Sequence, residues 1–161
     1  MPSNHQKINT IQMANAIQLP EVISMIDHGH TVTLPLRGYS MRPFLEDGRD
    51  KALLTAIKEP HVGDAVLAEI SPKHYVLHRI VRIDGQHVTL RGDGNLSDEH
   101  CTFTDIKALA IGFYRKGRDV ADMTDGSKWR TYSWVWMRLY PVRRWLLAFY
   151  RRIWLKIFKP I

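Results

Sequence analysis

The segment from His74 to Arg91 constrains this chain more than any other. Two runs that alternate apolar and polar residues, His74 to Ile83 and His87 to Arg91, flank Asp84-Gly85. Alternation with a period of two is the mark of a half-buried strand, and an Asp-Gly step between two such runs is a hairpin turn. A hairpin needs neighbours to bury its apolar face, and the chain supplies candidates. Thr31 to Leu36 has strand character, with Pro35 restricting it to an edge or a bulge. Lys51 to Ile57, Asp64 to Ile70 and Lys107 to Tyr114 read as further strands, the last of them closing the set. Leu19 to Asp27 reads as a short helix, with Pro20 in its first turn, Val22, Ile23 and Ile26 at helical spacing and Gly29 as a stop. Short strands at regular spacing predict a small, mainly β domain with a short N-terminal helix.

Length and composition fit one modest domain. The chain has 161 residues, 45% of them hydrophobic. Cys101 is the single cysteine, which excludes an intrachain disulfide and fits a reducing compartment. The net charge of +7 is unevenly spread: Gly126 to Ile161 holds nine Lys/Arg and no Asp/Glu, together with all five Trp. Three parts follow: an N-terminal helical segment (1–30, polar up to about residue 18), a β domain (31–125) and a basic, Trp-rich tail (126–161).

A serine, a histidine and acids occur in an order that suits nucleophilic catalysis. Ser40 lies in Gly38-Tyr39-Ser40-Met41-Arg42-Pro43, His78 lies in the hairpin, and Asp93 lies in Arg91-Gly92-Asp93-Gly94-Asn95. A serine hydroxyl needs a base to take its proton, and a neutral imidazole does so near neutral pH. A carboxylate on the other ring nitrogen fixes the tautomer and stabilises the imidazolium. Plainer roles exist for each: a turn serine, a satisfied sheet histidine, and a carboxylate capping a turn.

These boxes resemble those of the signal peptidase and SOS-repressor autoprotease superfamily of serine peptidases. Gly38 to Pro43 is similar to its G-x-S-M-x-P box, Gly63-Asp64-Ala65-Val66-Leu67 to its G-D-x-V strand, His78-Arg79-Ile80-Val81 to its general-base box, and Arg91 to Asn95 to its G-D-x-N box. The resemblance runs from about Thr31 to Ile111. Histidine at the base position is similar to the endoplasmic-reticulum and archaeal branch; leader peptidases and repressors have lysine there. The resemblance implies a small β-ribbon peptidase with Ser40 as nucleophile, His78 as base and an acid in or just after the last box. Asp93 is the in-box carboxylate, Asp98 and Glu99 are the downstream candidates, and the expectation rests on Asp93 or Asp98. It also implies an oxyanion and substrate groove at Gly38, Tyr39, Met41 and Pro43. Two departures stand out. Gly38 replaces the hydroxyl residue that many bacterial relatives use as an oxyanion donor, so backbone N–H groups, that of Ser40 included, carry that role. The N-terminal transmembrane anchor of secretory relatives is missing from this sequence.

No cofactor is expected. Eight histidines invite a metal reading, but His74 and His78 on one strand are about 13 Å apart, and His100-Cys101 lacks a paired motif. No metal site is predicted.

After Pro141 the pattern predicts an amphipathic helix over Val142 to Phe158, with Leu146, Tyr150, Ile153 and Ile157 at helical spacing. Arg143, Arg144, Arg151, Arg152 and Lys156, with Trp145 and Trp154, form a set suited to an anionic membrane surface. The alternatives are a helix packed on the protein with solvated arginines, or an acidic partner; no nucleic-acid motif accompanies the tail. No segment reaches the ~18–20 uninterrupted apolar residues of a membrane span, and no signal-peptide h-region precedes the domain. The expected location is the cytoplasm, peripheral on the inner face of the membrane. The expected function is cleavage of a peptide bond in a precursor or signal-like peptide. The alternatives are an inactive peptide-binding module and a membrane-surface assembly protein. The substrate, its cleavage motif and the oligomeric state have no signal in the sequence.

Overall fold

The computed structural model describes residues 19–161; the polar segment expected over the first 18 residues lies outside the described residues. Helix α1 (Leu19–Asp27) leads into β1 (Val32–Pro35), β2 (Lys51–Thr55), β3 (Ala65–Ser71), β4 (His74–Asp84), β5 (His87–Arg91), β6 (Glu99–Thr102), β7 (Ile106–Tyr114) and β8 (Asp122–Met123). Helices α2 (Ser127–Arg138) and α3 (Tyr140–Phe149) follow. A π-helical turn (Tyr150–Trp154) then continues into α4 (Leu155–Ile157). The fold is mainly β, as the alternation predicted.

All eight strands join one antiparallel sheet, in the order β1-β2-β7-β3-β4-β5-β6, with β8 paired to β7. Pro35 sits on β1, the edge strand, where a missing N–H costs no ladder bond. The Asp84-Gly85 turn closes the β4–β5 hairpin with Gly85 at φ +58°, a conformation open to glycine at little cost. Two strands lack a sequence expectation. β6 is four residues long and β8 two, too short for periodicity to register.

Two apolar clusters stabilise the sheet. One gathers Val22 and Ile26 of α1, Val32, Ala52, Leu54, Leu67, Ala110 and Phe113, with Met41, Phe44 and Leu45 from the segment after Ser40. The other holds Val66, Ala68, Ile80, Val88, Leu90, Cys101 and Ile106. Trp129 of α2 belongs to the first cluster and stacks among Phe44, Phe113 and Tyr132. An aromatic of this size removes roughly 150–250 Å² from water, worth about 4–6 kcal/mol at 25 cal/mol/Å². The basic region therefore begins as part of the core: α2 seals the sheet through Trp129, Ser133 and Trp136, spaced i, i+4, i+7.

Candidate active site

The site forms where the Ser40 segment meets β4 and the loop after β5. Successive side chains of a strand point to opposite faces, so His78 and Arg79 part company on β4. His78 shares its face with Ile80 and lies beside the second cluster, while Arg79 turns toward α2.

His78 is buried, and its Nδ1 lies 2.7 Å from Glu99 Oε2. The approach is bent rather than in line, yet both atoms are shut off from solvent and neither has another partner among the described residues. With the proton on Nδ1 facing that carboxylate, Nε2 is left as an acceptor. The opposite ring edge faces Gly92: a Cβ built there would stand 3.0 Å from His78 Nε2 and press on the Ser40 carbonyl oxygen. Gly92 is thus the thin wall across which the imidazole and the Ser40 segment approach each other. Burial pulls the His78 pKa below its ordinary value, and the Glu99 charge opposes that pull. A neutral imidazole near pH 7 follows.

Ser40 is held by its backbone. Gly94 N–H donates to the Ser40 carbonyl at 2.7 Å, and Gly38 N–H donates to Asp47 Oδ1 at 2.8 Å. Gly38 has φ +83°, which a side chain would strain. The N–H of Ser40 donates to no backbone carbonyl among the described residues. Ser40, His78 and Glu99 line one cleft of about 280 Å³ together with Gly38, Met41 and Asn95. Among the described residues no hydrogen bond joins Ser40 Oγ to the imidazole; in unliganded sites such bonds are commonly long and tighten when substrate enters.

The two acids favoured from the sequence stand elsewhere. Asp93 accepts from Arg79 Nε at 2.9 Å and from Arg79 Nη2 at 2.7 Å, and Tyr132 O–H donates to it at 2.8 Å. Trp136 Nε1 donates to the Asp93 carbonyl at 3.0 Å. Arg79 also donates to the Gly63 carbonyl and to Ser133 Oγ. This clasp fixes the G-D-G-N loop to β4 and α2; it does not reach the imidazole as an orienter. Asp98 pairs with Arg91, whose guanidinium holds the Asp98 carboxyl below the usual range. The carboxylate beside His78 is Glu99, one residue on: β6 pairs Glu99 with Leu90, which pairs with Ile80 on the His78 face.

The groove residues divide as well. Gly38 and Met41 line the cleft, whereas Tyr39 is exposed beneath the Arg42 guanidinium and Pro43 is not a lining residue. Leu36, Arg37, Leu45, Glu46, Asn95 and Tyr75 to Leu77 complete the lining. Alternation along β4 gave no signal for this last part, because the consecutive residues Tyr75, Val76 and Leu77 all contribute to the lining. Within the tail, Arg143 is 1% exposed, donates to the Trp136 carbonyl and stacks on Trp136 and Tyr140, so it faces the protein and not a partner. Trp154 is half-buried against Phe158. Arg144, Arg151, Arg152, Lys156 and Trp145 are exposed. Arg151 also donates to the Gly94 carbonyl at 2.7 Å. Among the described residues no helix is long and apolar enough to cross a membrane.

No protein-family model and no curated protein matches this chain.

Proposed function

We propose that the chain is a serine endopeptidase that works through Ser40, His78 and Glu99. One observation carries the reading. A buried imidazole is paired to a carboxylate through Nδ1, while its Nε2 edge faces the segment of a cleft-lining serine. In this mechanism Ser40 Oγ attacks the peptide carbonyl as His78 Nε2 takes its proton. The Glu99 carboxylate stabilises the imidazolium. The Ser40 N–H donates to the oxyanion. Collapse breaks the C–N bond, and His78 returns the proton to the leaving amine. Water, deprotonated by His78, then attacks the acyl-serine ester; the C–O bond to Ser40 breaks, His78 returns the proton to Ser40 Oγ, and the new carboxyl terminus is freed.

The β topology favours an extended substrate. β5 pairs with β4 only from Arg79 onward, so among the described residues Tyr75 to His78 have no strand partner on that side. An extended peptide adding to that edge would bring its carbonyl groups past Ser40. The test is a proteome-derived peptide library read by mass spectrometry, with fluorophosphonate labelling in parallel. Wild type is expected to cleave and to label, and Ser40→Ala and His78→Ala to do neither. Cleavage that survives Ser40→Ala sinks the mechanism. Peptide binding without cleavage or labelling in the wild type favours an inactive binding module.

A further inference from the structure

The last helical stretch has two apolar faces where a terminal helix needs one. Its inner face is satisfied by the protein: Leu147 and Tyr150 are buried, and Arg143 lies between them and α2. Its outer face carries Trp145, Phe149, Ile153 and Ile157, each four residues after the last, 72%, 52%, 47% and 66% exposed. Val142 and Leu146 widen this row. A packed amphipathic helix turns its polar side outward, so an exposed row of this kind marks an interaction surface.

Charge selects the occupant. Arg152 and Lys156 stand three residues after Phe149 and Ile153, one turn along, and both are exposed. No Asp or Glu lies anywhere from Gly126 to Ile161. A second copy docked on this face through a two-fold axis would set like charges against each other with no acid to relieve them. A nucleic acid would match the cations and leave the aliphatic row without a partner. An anionic bilayer matches both, with phosphates for the cations and acyl chains for the row. A highly exposed Trp suits the boundary between them.

We propose that the outer face of α3–α4 docks on an anionic phospholipid surface, with Trp145, Phe149, Ile153 and Ile157 entering the headgroup–acyl boundary and Arg152 and Lys156 meeting phosphates. The docked helix is tied to the candidate site: Arg151 donates to the Gly94 carbonyl, and Gly94 N–H donates to the Ser40 carbonyl. This inference stands apart from the peptidase reading, because binding is measured without turnover.

The experiment is co-sedimentation of the full chain, wild type and Ser40→Ala, with vesicles of phosphatidylglycerol and phosphatidylcholine or of phosphatidylcholine alone. Two paired variants, Phe149→Ser/Ile153→Ser and Arg152→Ser/Lys156→Ser, are run beside them. All four residues are exposed, and unchanged circular dichroism and thermal melts verify their folding. The expected result is binding to the anionic vesicles only, equal in wild type and Ser40→Ala. Each cation removed is expected to weaken it about five-fold, and the serine pair on the apolar row to reduce it to background. Absence of binding to anionic vesicles overturns the proposal. So does binding that is unchanged in both paired variants, or sedimentation equilibrium showing a dimer that Phe149→Ser/Ile153→Ser dissolves.

Discussion

Exchanging the roles of two carboxylates gives the sharpest test of this site. Asp93→Asn removes the charge that faces Arg79, and Glu99→Gln removes the charge that faces His78. Arg79 is wholly buried and Asp93 is 1% exposed, with two Arg79 N–H groups and the Tyr132 hydroxyl all directed at the Asp93 carboxylate. Breaking a buried pair by neutralising one member leaves an uncompensated guanidinium, which costs about 3–5 kcal/mol. For a domain of this size each kcal/mol lowers Tm by about 2–4 °C, so Asp93→Asn is expected to melt roughly 6–20 °C lower. Glu99 is 30% exposed and supports one ring nitrogen, so Glu99→Gln is expected to change stability by less than about 1 kcal/mol. Its effect falls on chemistry. Losing the anion that fixes the tautomer and stabilises the imidazolium costs on the order of 10²–10⁴ in kcat. The assay pairs urea denaturation with fluorophosphonate labelling rate, both at a temperature where Asp93→Asn remains folded. The reasoning is refuted if Asp93→Asn abolishes labelling at unchanged stability while Glu99→Gln labels at the wild-type rate.

Two further outcomes follow from the same geometry. Gly92→Ala would put a methyl group against the Ser40 carbonyl and 3.0 Å from His78 Nε2; the expected result is a loss of labelling by more than about 10²-fold with a stability cost of about 1–3 kcal/mol, and wild-type labelling would disprove the close approach. Acidification should destabilise the fold below about pH 6.5, the ordinary histidine value. Burial lowers the His78 pKa, so the unfolded chain takes up the proton first and stability falls as pH drops toward the folded value. Below that, Asp50 adds to the loss: burial raises its pKa, but the Arg49 guanidinium and the Lys116 and Glu46 N–H groups outweigh this and hold it below the usual range. A urea midpoint that is flat from pH 7 to pH 4 would contradict the His78 assignment, and one that is flat below pH 4 would contradict that of Asp50.

The β4–β5 hairpin was legible because alternation and the Asp-Gly turn are local signals, read within one run of residues. So were the edge position of β1, marked by Pro35, and the order of Ser40, His78 and the acidic segment. The choice of acid was not legible. Asp98 and Glu99 are adjacent, and a one-residue change in β6 register would exchange which of them faces the imidazole. That register depends on the pairing of four residues of β6 with β5, a non-local event. Asp93 misleads for a related reason. Its sequence position suits an orienter, but a buried Arg79 one residue from His78 claims it, and strand alternation sends the two side chains of β4 to opposite faces. The Trp-rich tail reads as one cationic attachment because composition does not distinguish a buried Trp129 from an exposed Trp145.

The sequence by itself determined the local facts: where the longer strands and the β4–β5 turn fall, and that a serine, a histidine and several acids are available in order. Only the tertiary structure decided the partnerships. His78 with Glu99, Arg79 with Asp93, Arg91 with Asp98 and Arg143 with the Trp136 carbonyl each join residues from different elements. Their choice follows from register and from burial, because a charge removed from water is stable only beside the counter-charge or dipole that the fold brings to it.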